Sequence, residues 1–210
     1  MVNVEDVFRA SRNDARLQTI INNHLQRSGY SQHLVSGYSF SVKNEVSPAF
    51  CLGFQIFKLP LGLVFVSDDL SKILKEDELE FVVLHEIGHI MKNHFISSAF
   101  VWLMKSWIID IIADCFEVSK KKAIEYLGWI KALYVLFSQK RTVEEEAKAR
   151  VELEADQYAV MSQNKKDPAI STLLKLSNGN IRAPTHVTVD GHFPFPVTTF
   201  EERLAAIERA

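Results

Sequence analysis

The chain has 210 residues, of which 47% are hydrophobic, and its formal net charge is −2. This length and apolar content suffice for one domain with a sizeable core, and the charge argues against a nucleic-acid-binding surface. The two cysteines, Cys51 and Cys115, form no CxxC motif and are predicted to be reduced, buried thiols.

The first predicted elements are a helix and a strand. Residues 4–28 place apolar side chains at helical spacing in their second half, which predicts a helix. GYSFSV at 37–42 alternates apolar and polar residues, which predicts a strand. The N-terminus is charged and carries no apolar stretch of the signal-peptide type, so we expect an intracellular, cytoplasmic protein.

Two further strands are predicted to form a hairpin. AFCLGFQIF at 49–57 and LGLVFVS at 61–67 flank KLPLG, in which Pro60 and Gly62 indicate a turn. The strand at 61–67 is expected to lie at the edge of the sheet, where an extended peptide substrate can add as another strand.

The next segment, EDELEFVVLHEIGHIMKNH at 76–94, predicts a helix with an acidic first turn. Residues four apart share one face of a helix, so His85 and His89 can bind one metal ion. Glu86 lies beside the first histidine, where it can reach a metal-bound water without being a ligand. Zinc lowers the pKa of such a water to near 7, so HExxH predicts a zinc site with Glu86 as general base.

His94 ends the same segment, five residues after His89. On a continued helix it would point about 140° further around the axis. It is therefore predicted to be a polar side chain or a support for the site, and not a ligand.

Two apolar runs follow, at 95–113 and 123–137, and predict a helical hairpin inserted at about 95–137. Lys105 and Asp110 lie in the first run, and each would cost about 2.5–3.5 kcal/mol in lipid. The second run would reach only about 22 Å as a helix, short of the roughly 30 Å hydrocarbon core. Two alternatives stay open: a hairpin buried in protein or against a second copy, and one that lies in or on a membrane.

A catalytic zinc needs three protein ligands, and the third is predicted from the helix TVEEEAKARVELEADQYAVMSQ at 142–163. Glu152 and Asp156 are four apart and share one face, while Ala155 and Ala159 permit close packing of a second helix. Glu152 can bind the metal, and Asp156 can accept an N–H from a ligand histidine. Taken alone, this stretch could equally be an acidic surface helix.

The C-terminal part is predicted as a short helix, a loop and a final helix. Residues 168–177 form the short helix, and the Gly and Pro content of 178–196 predicts a long loop. TTFEERLAAIERA then closes the chain as a helix that begins at Thr198 or Thr199.

These motifs together resemble the gluzincin metallopeptidases, which include the HtpX-like proteases, the CAAX prenyl endopeptidases and their soluble relatives. The resemblance rests on SPAFCLGFQIFKLPLGLVFVSDDLSKILKEDELEFVVLHEIGHIMKNH at 47–94 and on ELEAD within 142–163. It implies one α+β domain over residues 1–210, mainly helical and zincin-like. Its small antiparallel sheet would lie beside the HEIGH helix, and it would hold one Zn²⁺ per chain.

The same resemblance implies a role for each matching residue. His85, His89 and Glu152 resemble the zinc ligands, Glu86 the general base, and Asp156 the carboxylate that orients a ligand histidine. GHFPFPVTTFEERLAAIE resembles the family's His-Pro segment and its following arginine. By this comparison His192 stabilises the oxyanion of the transition state and Arg203 is structural, with His186 as the alternative donor.

We therefore expect a zinc-dependent endopeptidase that hydrolyses peptide bonds of a protein or peptide substrate through a zinc-activated water. Two alternatives stay open. One is a latent relative that acts as a holdase or assembly factor, its zinc site occluded by the C-terminal loop. The other is an HExxH peptidase that cleaves repressors, although the sequence has no helix-turn-helix signal. Contact with the inner face of a membrane, or self-association through 95–137, also stays open.

Overall fold

The computed structural model describes residues 4–41, 49–94, 143–177 and 198–209. The predicted insert at 95–137 and the predicted loop histidines, His186 and His192, lie outside these ranges. In chain order the elements are α1 (Val4–Ala10), β1 (Ser11–Asn13), α2 (Ala15–Arg27), β2 (Val35–Phe40), β3 (Ala49–Ile56), β4 (Leu59–Ser67), α3 (Asp68–Ile73), α4 (Glu76–Met91), α5 (Val143–Gln163), α6 (Asp167–Ser177) and α7 (Phe200–Arg209). Helices beside one small sheet confirm the predicted α+β class.

The four strands form one sheet in the order β1-β2-β4-β3. β3 and β4 pair antiparallel as predicted, but β2 and β4 run parallel, so the sheet is mixed and not wholly antiparallel. Since β4 lies between two strands, the prediction that residues 61–67 form the edge was wrong. Among the described strands, β3 occupies that edge.

The hairpin turn lies earlier in the chain than predicted, and it is shorter. Phe57 and Lys58 form it, with φ angles of 48° and 68°. Pro60 and Gly62, which were predicted to mark the turn, both belong to β4. The prediction failed because two residues without turn preference adopt the left-handed conformation that this hairpin requires.

Two glycines let the HEIGH helix approach the sheet closely. Gly53 of β3 faces Gly62 of β4 across the hairpin. A Cβ on Gly62 would lie 2.8 Å from Ile90 Cδ1 of α4, and one on Gly53 would lie 3.2 Å from Ile90 Cγ1. Each Cβ would also overlap backbone atoms of the facing strand, so neither position has room for a side chain and Ile90 of α4 can lie against the hairpin.

The helix predicted over residues 4–28 is divided into α1, β1 and α2. Asp14 caps α2, because its carboxylate accepts hydrogen bonds from the backbone N–H groups of Arg16 and Leu17. The preceding residues pair with β2 as a short strand. An aspartate directly before the periodic segment is a start signal that the periodicity alone does not reveal.

The main core lies between one face of the sheet and the helices α2, α4, α5 and α6. The HEIGH helix α4 is buried on most of its surface. The opposite face of the sheet carries an aromatic cluster, in which Phe65 stacks on Phe50 with ring centroids 4.7 Å apart. Among the described helices, none is both long and apolar enough to cross a membrane.

A buried carboxylate joins α4 to α6. Glu78, only 2% exposed, accepts a hydrogen bond from the Lys75 backbone N–H at 2.7 Å and from Lys175 Nζ at 2.6 Å. The Ser171 hydroxyl donates to its other oxygen. Burial alone would raise the pKa of Glu78, but these hydrogen bonds hold that pKa below its ordinary value of 4.5.

The last helix, α7, begins as the sequence predicts. The Thr199 hydroxyl accepts the Glu202 backbone N–H at 3.3 Å, and the Glu202 carboxylate accepts the Thr199 N–H at 2.9 Å. This reciprocal pair is a capping box, so Thr199 and not Thr198 caps the helix. The cap sets the position of Arg203, one turn further along α7.

Candidate metal centre

The candidate site lies where α4 crosses α5. At the crossing, a Cβ on Gly88 would lie 3.2 Å from the Ala155 Cα and 3.2 Å from the Tyr158 Cβ. Ala155 and Ala159 are fully buried, as the small-residue pattern on α5 predicts. These small residues let the two helix backbones approach closely, so that histidines of α4 and carboxylates of α5 can meet between them.

Three side chains converge from the two helices. His85 Nε2 and His89 Nε2 are 3.1 Å apart, Glu152 Oε2 is 3.5 Å from His85 Nε2, and Glu152 Oε1 is 3.6 Å from His89 Nε2. Ligand atoms at about 2.05 Å from a tetrahedral zinc are about 3.3 Å from one another. The spacing and the His₂Glu donor set therefore fit a zinc ion.

A buried ion pair supports the first histidine. Asp156, with no exposed surface, lies with Oδ1 2.8 Å from His85 Nδ1. Arg203 of α7 donates to both oxygens of Asp156, at 2.7 Å from Nε and 2.6 Å from the second guanidinium nitrogen. Because the ionised carboxylate only accepts, His85 Nδ1 carries the proton and Nε2 is left to face the other ligands.

The electrostatics of the cluster favour a cation. Burial by itself would lower the pKa of His85, but hydrogen bonds and charge from Asp156 and Glu152 raise it to about 10. Burial, together with the charge on His85, lowers the pKa of His89 to about 3. A proton on His85 thus neutralises carboxylates that a divalent ion can neutralise equally well.

Glu86 lies beside this cluster and is 8% exposed. Burial, opposed in part by the nearby His85, raises its pKa to about 7. A carboxylate with such a pKa can both take up and release a proton near neutral pH. The Cys51 thiol of β3 lies close enough to Glu86 for each group to affect the pKa of the other, a contact that the sequence did not predict.

With this geometry in view, the comparisons with known proteins identify the family. The family model described as peptidase family M48 matches residues 11–209. The chain belongs to peptidase family M48. Membership of this family confirms the resemblance carried by HEIGH and ELEAD.

A solved structure is similar to this M48 chain. The crystal structure of S. mikatae Ste24p superposes with a TM-score of 0.57 at 18% sequence identity, covering 94% of this chain and 52% of that chain. The similarity supports a common fold, and this M48 chain spans about half the length of that Ste24p. No curated protein sequence matches the chain significantly.

The predicted site residues of this M48 chain fall into two groups. The structure brings those of the described ranges together on three helices, and the proposed oxyanion donor His192 and its alternative His186 lie outside those ranges. The six residues that meet are His85, Glu86 and His89 on α4, Glu152 and Asp156 on α5, and Arg203 on α7.

His94 is the residue whose position the sequence mispredicted. α4 ends at Met91, and Asn93 adopts a left-handed φ of 57°, so the chain turns back towards the site. His94 Nδ1 then lies 2.9 Å from His89 Nδ1. The 140° offset assumed a continued helix, and the helix does not continue.

Proposed function

We propose that this M48 chain is a zinc-dependent endopeptidase with one Zn²⁺ bound by His85, His89 and Glu152. The observation that carries the proposal is that three side chains from two helices face one another with their possible ligand atoms 3.1–3.6 Å apart. When bound there, zinc supplies a Lewis acid that polarises the peptide carbonyl and makes water more acidic. The Asp156–Arg203 pair keeps His85 in the tautomer that can bind.

Glu86 acts as the general base in this proposal. It takes a proton from the attacking water and passes it to the leaving amine. Its pKa of about 7 in the metal-free site is raised by burial, and a nearby divalent cation lowers that pKa, which favours the ionised base.

The substrate is proposed to be a protein or peptide that binds in an extended conformation beside β3. Among the described strands β3 is at the edge of the sheet, and the Gln55 N–H at its end already bonds to Asn93, so we propose that an added strand pairs with β3 around Cys51 and Gly53. Cys51 of β3 reaches Glu86, and a peptide alongside β3 would therefore pass close to the base. Neither the latent holdase nor the repressor-cleaving peptidase is favoured by an observation on the described residues.

The proposal is tested by casein cleavage and zinc content, in wild type and Glu86→Gln. The substitution keeps the shape of the side chain and removes the base, so we expect near-stoichiometric zinc and no measurable cleavage. Removing zinc from the wild type with a chelator should abolish cleavage, and added zinc should restore it. Glu201→Gln, an exposed site on α7, serves as the control and should keep both zinc and activity.

Two results would contradict the proposal. If Glu86→Gln cleaves casein at the wild-type rate, Glu86 is not the general base. If cleavage continues after zinc has been removed completely, the reaction does not need the metal.

A further inference from the structure

The two histidines of HEIGH are supported by different groups. His85 has the charged Asp156 at its Nδ1, whereas His89 Nδ1 faces another imidazole, His94 Nδ1, at 2.9 Å. Two ring nitrogens at this distance share one proton, so one donates and the other accepts. The direction of this hydrogen bond determines whether the other nitrogen of His89, Nε2, carries a proton or a lone pair that can bind a metal.

The candidate ligand set fixes the direction of that hydrogen bond. His89 Nε2 faces His85 Nε2 and Glu152, so its lone pair must be on Nε2 and its proton on Nδ1. His89 Nδ1–H then donates to His94 Nδ1, which leaves the His94 proton on Nε2.

The far side of His94 agrees with this direction. His94 Nε2 lies 3.4 Å from Glu154 Oε2, an acceptor for an Nε2–H group. Arg150 Nε donates to the other oxygen of Glu154 at 2.7 Å, which keeps that carboxylate ionised and in place. The hydrogen bonds from His89 to His94 and from His94 to Glu154 thus run in one sense, away from the candidate metal.

The backbone that carries His94 is also held in place. Asn93, in its left-handed conformation, accepts the Gln55 backbone N–H of β3 with its side-chain oxygen. This contact ties the turn after α4 to the strand beside the site. His94 is 6% exposed, so its ring lies in a protein environment and has little access to water.

We propose that His94 is a positioning residue for His89, holding its imidazole in the tautomer with the lone pair on Nε2 and in the orientation that faces Glu152. The inference rests on the proposed zinc site and extends it. Groups that hydrogen-bond to a metal-ligating histidine typically change metal affinity by about 10–100-fold when removed.

The test compares His94→Phe with His94→Asn, in the full chain, by zinc affinity in competition with a chromophoric chelator. Phenylalanine keeps the ring volume and removes the acceptor, so affinity should fall by about 10–100-fold. The asparagine oxygen can take the place of Nδ1, so His94→Asn should retain most of the affinity. His24→Phe, at a buried histidine paired with Tyr158, is the matched control and should bind zinc like wild type.

The order of the two variants separates positioning from packing. A packing role predicts that the smaller asparagine binds zinc more weakly than phenylalanine, and that order would overturn the inference. If wild type and His94→Phe bind zinc equally, only the role of His94 fails. If the wild type itself binds no zinc, the proposed function fails as well.

A second measurement needs no variant. In the zinc-loaded wild type, ¹H–¹⁵N correlation spectra of the histidine rings should show His94 protonated at Nε2 and not at Nδ1. A proton on His94 Nδ1 would overturn the inference even if His94→Phe does not fold.

Discussion

At the scale of single residues, the candidate site depends on which nitrogen of each histidine carries its proton. The charged pair of Asp156 and Arg203 determines the tautomer of His85. The neutral ring of His94 is proposed to determine the tautomer of His89. In the first arrangement the Asp156 carboxylate lies behind His85 with its charge balanced by Arg203, and in the second an uncharged ring lies behind His89. The His₂Glu set therefore holds one carboxylate as ligand and one behind it, which suits a divalent ion.

Loss of the third ligand should empty the site. Glu152→Ala leaves two histidines, too few for a stable catalytic zinc, so zinc content per chain after dialysis should fall well below one. Gln157→Ala, exposed on the same helix, is the control and should keep its zinc. If both variants contain the same amount of zinc per chain, Glu152 is not a zinc ligand.

The oxyanion donor is predicted from the loop that precedes α7. His192→Phe should keep zinc and KM but lower kcat by about 10²–10³, because the oxyanion forms only in the transition state. His186→Phe should change kcat much less. The reverse order would exchange the two roles, and no effect from either would mean that neither histidine reaches the reacting carbonyl.

The sequence predicted those parts of the site that depend on spacing within one helix. His85 with His89, and Glu152 with Asp156, share faces because a helix repeats every 3.6 residues. The resemblance gave Arg203 only a structural role, and its pairing with Asp156 was not predicted, because no local rule brings α7 to α5. The Cys51 contact with Glu86 could not be predicted either, since it depends on how closely β3 approaches α4.

At the scale of elements, Glu78 makes the junction of α4 and α6 dependent on pH. Its folded-state pKa lies below 4.5, so its carboxylate stabilises the fold above that pH, and the stabilisation is lost as pH falls through the lowered pKa. Glu78→Gln should therefore lower the free energy of unfolding by about 1–3 kcal/mol at about pH 7. The difference from wild type should shrink below about pH 4.5.

Urea unfolding followed by circular dichroism at several pH values measures that difference. Glu76→Gln, exposed in the first turn of the same helix, is the control and should change stability little. A gap between wild type and Glu78→Gln that stays constant down to about pH 3 would contradict the assignment.

Element order and type were more predictable than element pairing. Apolar spacing and acidic helix starts predicted α4, α5, α6 and α7 close to their bounds, because those signals lie within the helices themselves. The position of β4 between β2 and β3 depends on contacts between distant segments, which alternation within a strand does not encode. The turn residues Phe57 and Lys58 include no Gly, Asn or Pro, so the contacts between the two strands determine where the turn forms.

At the scale of the whole molecule, one prediction concerns the predicted insert at 95–137 and its affinity for membranes. Lys105, Asp110 and Lys131 interrupt its apolar runs. We therefore expect lysate fractionation to recover the protein without detergent, in the supernatant or a high-salt wash. A double variant, Lys105→Leu with Asp110→Leu, should move it towards the detergent fraction. Recovery of the wild type only with detergent would contradict the prediction.

The contact between Arg203 and Asp156 has a consequence for synthesis. Translation makes His85, His89 and Glu152 first, and Arg203 emerges from the ribosome only after all three. Until then Asp156 lacks the guanidinium that binds both of its oxygens in the full chain. A growing chain therefore carries the candidate ligands before it has the arginine that holds the Asp156 carboxylate behind His85, and the proposed site is complete only after α7 has been made.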